Sequence, residues 1–195
     1  GDKVRAVSSG VDHAYFDPAL PFEAPYATDR LNFVFTGTMD YLPNVDAVAW
    51  FAREILPMIR RSAPGAQFHI VGSSPSAEVQ GLANIDGVFV TGRVPDVRPY
   101  VAHATAAVAP MRIARGIQNK VLEAMAVARP VVASQSCATA IDAALGTELI
   151  GDDLRRAPRW GSMAEVSSSP PPTPFQSPVP EIGRAHAELQ SRQCI

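Results

Sequence analysis

Six short runs of apolar residues, rich in β-branched and aromatic side chains, recur along the chain. They are "LNFVFTG" (31–37), "QFHIVG" (67–72), "GVFVTG" (87–92), "TAAVAPM" (105–111), "PVVAS" (130–134) and "TELIG" (147–151). Runs that are continuous rather than alternating predict strands buried on both faces. The segments between them keep helical spacing. "NVDAVAWFAREILPMIRR" (44–61) carries Val45, Val48, Phe51, Ile55 and Ile59 on one stripe, with Asn44 as its expected N-cap. Further helices are predicted over 75–83, over 95–104 (which opens with proline and aspartate), over 117–127 and over 139–146. Alternation of strand and helix predicts βαβ units. The expected fold is therefore α/β, a Rossmann-like doubly wound parallel sheet with helices on both faces.

Ligands of such sheets bind beyond the carboxyl ends of the strands. Those ends here carry Thr36-Gly37-Thr38, Val71-Gly72-Ser73, Thr91-Gly92-Arg93, Pro110 to Gly116, and Ala133-Ser134. The glycines either let backbone approach something closely or simply end the strands. No G-x-G-x-x-G follows the first strand, which argues against a nicotinamide or flavin site.

Composition narrows the function further. The 195 residues are 47% hydrophobic with a formal net charge of −2, enough apolar material for a packed core but no basic face for nucleic acid. No apolar run reaches transmembrane length, and no secretory signal pattern is present. Cys137 and Cys194 have neither metal nor redox spacing, which favours a reduced, cytoplasmic compartment. His69 and His103 lie in apolar segments without a second metal ligand nearby, so both are expected to be structural.

The most informative stretch is "RGIQNKVLEAMAVARPVVAS" (115–134). On a helical wheel Ile117, Val121, Leu122, Ala124 and Met125 share the face toward the sheet, and Asn119, Lys120 and Glu123 fall opposite. The helix start at Gly116 to Gln118 offers free N–H groups and a positive dipole end to a phosphate. Glu123, further along, suits the hydroxyls of a ribose. The plainer alternative makes Glu123 a surface acid paired with Lys120 three residues earlier.

The same stretch resembles the donor-site motif of GT-B-fold glycosyltransferases of family 4, and within that family the bacterial exopolysaccharide sugar transferases. "SSGVDHAYFDP" resembles the linker entering their second domain. "FTGTMDYLPNVDAVAWF", "FHIVGSSP", "VTGRVPDVRPYVAHA" and "AAVAPMRIARGIQNKVLEAMA" follow in the family's order and spacing over about residues 4–151. The resemblance implies two Rossmann-like domains facing a cleft, of which this chain carries the C-terminal, donor-binding one. Residues 1–30 would be the interdomain linker and the end of a missing N-terminal acceptor domain, and 31–151 the nucleotide-sugar-binding domain. Residues 152–195 would be a disordered or artefactual tail. "SSSPPPTPFQSPVP" (167–180) is low-complexity, and "EIGRAHAELQSRQCI" resembles a translated sequencing-adapter read, so the natural gene is expected to continue differently past about residue 151.

The implied activity is transfer of a sugar, mostly with retention, from a UDP- or GDP-linked donor to a glycan or lipid-linked acceptor. No cofactor or metal is implied, because cations and a helix end neutralise the diphosphate. The full enzyme would be cytoplasmic, with peripheral association at the inner face of the membrane. By the same resemblance Gly37 and Thr38 match a phosphate-side loop, and Gly92, Arg93 and Val94 the segment facing the base. Gly116, Ile117 and Gln118 match the turn under the diphosphate and sugar, and Glu123 the second glutamate of an E-x7-E motif, on the ribose. Catalytic residues are unknown, since the acceptor side is missing.

The chain departs from the family at three places. The first glutamate of E-x7-E is Arg115. The family's loop arginine and lysine fall near Thr38 and Pro43. The usual glycine before the strand proline gives way to Ala128-Arg129. Arg115 and Lys120, with Arg112 as a third candidate, are expected to replace the lost cations. Two other functions fit the same fold: a non-catalytic nucleotide-sugar-binding module, and a UDP-sugar epimerase.

Overall fold

Each apolar run becomes a strand of one sheet; those at 32–36, 67–71, 106–109 and 131–133 are buried along almost their whole length as expected, whereas the edge strand at 88–92 leaves Phe89 exposed. The computed structural model describes residues 10–114, 116–141 and the backbone of 149–151. The strands are β1 (Asn32–Thr36), β2 (Gln67–Val71), β3 (Val88–Gly92), β4 (Ala106–Ala109), β5 (Val131–Ala133) and β6 (Leu149–Gly151). All pair in parallel, in the order β3-β2-β1-β4-β5-β6. β1 is central and buried throughout, with Phe33 and Phe35 at 0% exposure. Burying a phenylalanine side chain contributes on the order of 1.5–3 kcal/mol, and the rings of Phe33, Phe51 and Phe68 pack at a tilt in this core.

The predicted helix over 44–61 is broken. α1 spans Leu42–Trp50, a π-helical turn Phe51–Ile55, and α2 Leu56–Ser62. Pro57 explains the break. It has no N–H for the carbonyl of Arg53, and the ladder widens just before it, with Leu56 N–H donating to Phe51 O. Asn44 is not the N-cap. Tyr41 occupies that position, and Asn44 sits inside the first turn, buried. Sequence spacing supplies the reason, since Asn44 lies one turn before Val48 and so continues the apolar stripe inward.

The remaining helices are shorter than the patterns suggest: α3 (Ala77–Gly81) followed by a 3₁₀ turn (Leu82–Asn84), α4 (Arg98–Ala102), α5 (Asn119–Ala126) and α6 (Gln135–Ala138). α6 starts directly after β5, earlier than the predicted helix over 139–146. The buried Cys137 anchors it, and the amides of Cys137 and Ala138 both donate to Ser134 O. Residues 142–148, and the tail from 152, lie outside the described residues.

α5 ends in a Schellman motif. Arg129 N–H donates to Ala124 O and Ala128 N–H to Met125 O, which requires a left-handed residue at position 128. Ala128 adopts φ 55° there. Alanine in that conformation is disfavoured by about 1 kcal/mol relative to glycine. Ala128→Gly is therefore expected to stabilise the fold by about 1 kcal/mol in urea unfolding, with unchanged m-value.

Residues 10–31 run along α4. Phe16 enters the core, Tyr26 Oη donates to Tyr100 O at 2.5 Å, and His103 Nε2 donates to Phe22 O at 2.7 Å. Arg98 holds Asp96, donates to Tyr15 O at 3.0 Å, and lies 3.7 Å over the Tyr15 ring. His69 is likewise structural: its Nε2 donates to Asn32 Oδ1 at 3.0 Å, because the Asn32 amide nitrogen is committed to the carbonyls of Ala27 and Arg30. Tyr26 and Phe89 stack on its two sides. Among the described residues no helix is long and apolar enough to cross a membrane.

Candidate functional site

The strand order reverses between β1 and β4. From β1 the chain steps to β2 and β3 on one side, and from β4 to β5 and β6 on the other. Right-handed crossovers then place α1 and α5 on opposite faces, so the loops leaving β1 and β4 diverge and open a crevice beyond their carboxyl ends. The β1 loop brings Gly37 and Thr38 to that crevice. The β4 loop brings Pro110 to Gln118, and α5 begins there.

The β1 loop is fixed from below. Gly37 N–H donates to Val71 O at 3.1 Å, Met39 N–H to Ser73 O at 2.8 Å, and Gly72 N–H to Gly92 O at 3.1 Å. A Cβ on Gly72 would stand 1.6 Å from Gly37 O, and one on Gly37 would stand 2.8 Å from Asn44 Nδ2. The close approach these glycines allow is between neighbouring strand-end loops. Glycine therefore does more here than end a strand. Gly92 closes the same row at β3, two strands from β1, with Arg93 exposed and Val94 half-buried against the core.

Lys120 departs from its expected place. It lies one turn before Ala124 and two before Val127, all on the buried face, rather than opposite the sheet. Its stem runs inward, and the ammonium sits 4.0 Å over the Phe35 ring, donating to Asn44 Oδ1 at 2.8 Å. Burial lowers its pKa to about 8, opposed by the charges of Cys137 and Glu123. Val121 and Ala124 are buried as expected, whereas Ile117, Leu122 and Met125 are only half-buried.

Glu123 is half-buried. Burial pushes its carboxyl above the usual carboxylate range, against the opposing pull of Lys120. Among the described residues no side chain hydrogen-bonds its carboxylate, and the pair with Lys120 that the plainer alternative required does not form; the ammonium is turned to Asn44 instead. Gly116 has a left-handed φ of 67°, which suits glycine at the turn before α5, and Ile117 and Gln118 follow at the helix start. Among the described residues no side-chain cap hydrogen bond closes that end. Arg112 is not free to replace a lost cation. It forms a two-pronged ion pair with Asp46, its Nε donating at 2.9 Å, and lies 5.6 Å from the Trp50 ring centroid. Arg115 lies outside the described residues.

The crevice thus unites Gly37, Thr38, Lys120, the start of α5 and Glu123, while Arg93 and Val94 stand further along the same edge. The sequence reading missed Asn44, whose amide links α5 to the β1 loop, and the Arg112–Asp46 pair. A polar residue continuing an apolar stripe was the available signal for the first. The second joins residues 66 positions apart and had none.

A family profile described as "Glycosyl transferases group 1" matches residues 30–151. No curated protein sequence matches the chain significantly. Among solved structures, a glycosyltransferase from Rickettsia africae is similar, with TM-score 0.53 and 13% identity, over 73% of this chain and 41% of that one. A TarM variant from S. aureus, in complex with fondaparinux, α-GlcNAc-glycerol and UDP, gives 0.51 and 19%, over 74% and 29%. HepE from Anabaena, in complex with UDP and glucose, gives 0.50 and 14%, over 73% and 41%. At these identities the likeness is one of fold. The chain spans between 29% and 41% of the length of these structures.

Proposed function

We propose, from the premise that this chain belongs to the glycosyl transferases of group 1, that it forms the donor-binding half of an enzyme moving a sugar from a nucleoside-diphosphate sugar to an acceptor. The observation that carries the reading is the crevice between β1 and β4. There a backbone loop and a helix start converge where a diphosphate would lie, with the buried Lys120 bound to Asn44 beneath them. UDP in two structures of like fold makes UDP the first donor base to test. The finer reading is a family 4 enzyme of GT-B architecture. It is retaining and metal-independent, acts in exopolysaccharide or other cell-envelope glycan synthesis, and works with an acceptor domain at the inner membrane face.

In this reading the diphosphate leaving group lies over the Gly37–Thr38 loop and the start of α5, where preorganised N–H dipoles meet developing negative charge. Helix dipoles supply only about half an elementary charge each, so nearby cations matter. Arg115, immediately before the turn, is the candidate for direct contact with phosphate oxygens. Glu123 takes the ribose hydroxyls, and Gly92 to Val94 face the base.

Glu123→Gln separates this role from a structural one. A charge-assisted hydrogen bond to a hydroxyl contributes about 1.5–3 kcal/mol, so UDP affinity should fall about tenfold to hundredfold. Because burial disfavours the ionised carboxyl, the amide should leave the melting temperature unchanged or raise it. Unchanged affinity would make Glu123 a plain surface acid.

The reading as a whole is tested by isothermal titration of the chain with UDP, GDP, their sugars and uridine. Binding of a diphosphate far tighter than uridine, without sugar transfer by this chain alone, is the expected result. A folded sample that binds none of them overturns it.

A further inference from the structure

Lys120 was expected to reach the donor, yet its ammonium faces the interior. The Asn44 amide explains the arrangement. An ammonium has no acceptor, so the atom toward Lys120 must be Oδ1, which directs Nδ2 to the carbonyl of Thr38 at 2.9 Å. Asn44 is 6% exposed, and no other orientation of its amide satisfies both neighbours. A chain of contacts therefore runs from α5 through Lys120 and Asn44 to the β1 loop.

That loop is then held at three successive points: Gly37 N–H on Val71 O, Thr38 C=O by Asn44, and Met39 N–H on Ser73 O. The Thr38 N–H and hydroxyl donate to no described residue. The loop is pinned on every side except one donor pair. Glycine at position 37 is what lets Asn44 come this close, since a Cβ there would meet Nδ2 at 2.8 Å and stand 3.5 Å from Lys120 Nζ.

We propose that Lys120 and Asn44 are positioning residues of the donor site, and that Lys120 acts on the donor diphosphate through Asn44 and the Thr38 backbone rather than by touching phosphate. This rests on the donor-site reading above. Keeping an ammonium in such a place is costly, as its lowered pKa shows, and an apolar residue would pack there more cheaply. The lysine holds a geometry rather than the fold.

The test uses the whole chain with Lys120→Met, Asn44→Ala and the double variant, and UDP and uridine as probes. Asn44→Ser is the second choice if the alanine variant does not fold. Each single change should weaken UDP at least tenfold and uridine less than twofold, and the double variant should be no worse than the weaker single one. Losses that multiply in the double variant, or a UDP loss in Lys120→Met that Asn44→Ala does not share, overturn the proposal and place the lysine on the phosphate. Amide exchange without nucleotide provides the independent reading. Met39 N–H should exchange at least tenfold faster in each variant, with Ile70 N–H unchanged, and an unchanged Met39 overturns the positioning role. If Met39 loosens but the parent chain binds no nucleotide, the donor-site reading fails and the proposed role in donor binding fails with it.

Discussion

Gly72→Ala is expected to be the most damaging single-methyl change in the described structure. The new Cβ would lie 1.6 Å from the carbonyl oxygen of Gly37 and 2.8 Å from its carbon, both backbone atoms of the central strand's loop. No rotamer change relieves a backbone clash, so either β1 and β2 separate at their carboxyl ends or the β1 loop moves as a unit. Overpacking that shifts backbone costs typically 1–3 kcal/mol and occasionally more, and this contact belongs at the upper end, about 3 kcal/mol or above. Urea unfolding measures it. The same variant should lose UDP binding out of proportion to its stability, because Gly37 and Thr38 ride on the displaced segment. Gly81→Ala is the control, as its Cβ meets nothing within 4 Å and its position is helical. Equal effects at positions 72 and 81 would show that the loops are not in contact.

The second large effect follows from His69. Burial between Tyr26 and Phe89 lowers its pKa to about 4 from an ordinary 6.5. Above pH 6.5 the imidazole is neutral in both folded and unfolded chains, and the group adds no pH dependence. Between pH 6.5 and about 4 the unfolded chain takes up a proton that the folded one refuses, so stability falls with falling pH. The loss attributable to His69 reaches about 3 kcal/mol by pH 4. His69→Gln preserves a donor toward Asn32 Oδ1 without a titrating ring. The difference in unfolding free energy between parent and variant should therefore shift by about 3 kcal/mol in the variant's favour between pH 7 and pH 4. A constant difference would mean that His69 titrates normally in the fold.

These effects show what sequence carries well. The strands were legible because strands of a parallel sheet read as continuous apolar runs, and β1 to β6 fall within a residue or two of those runs. The structural role of His69 was legible too, since an isolated histidine in such a run has only core partners to find. Helix limits were less so. The stripe from Val45 to Ile59 is real, but Pro57 breaks the ladder beneath it. The glycine that the resemblance places before the strand proline survives as a conformation without its residue, with Ala128 held in the left-handed region by the hydrogen bonds that end α5.

The strand-end loops were legible, and one side chain of the candidate site was misread in its direction. Residue type says that lysine faces water, whereas position on α5 says that Lys120 faces the core, and position prevailed because a long stem can cross the apolar face to a polar partner. That partner, Asn44, lies 76 residues away, and Asp46, which occupies Arg112, lies 66 away. Contacts of that range come from strand order, which local spacing does not encode.

The central claim is that the carboxyl edge at the β1–β4 reversal takes a nucleoside diphosphate. Amide chemical shifts of the chain titrated with UDP test it most directly. The largest changes should fall at Gly37 and Thr38, at Gly92 to Val94, and from Gly116 to Glu123, while Leu31, Ala66 and Gly87 at the opposite edge stay fixed. Saturable changes centred instead on the open groove of about 210 Å³ lined by Leu42, Trp50 and Arg53, or on the opposite edge, would contradict it.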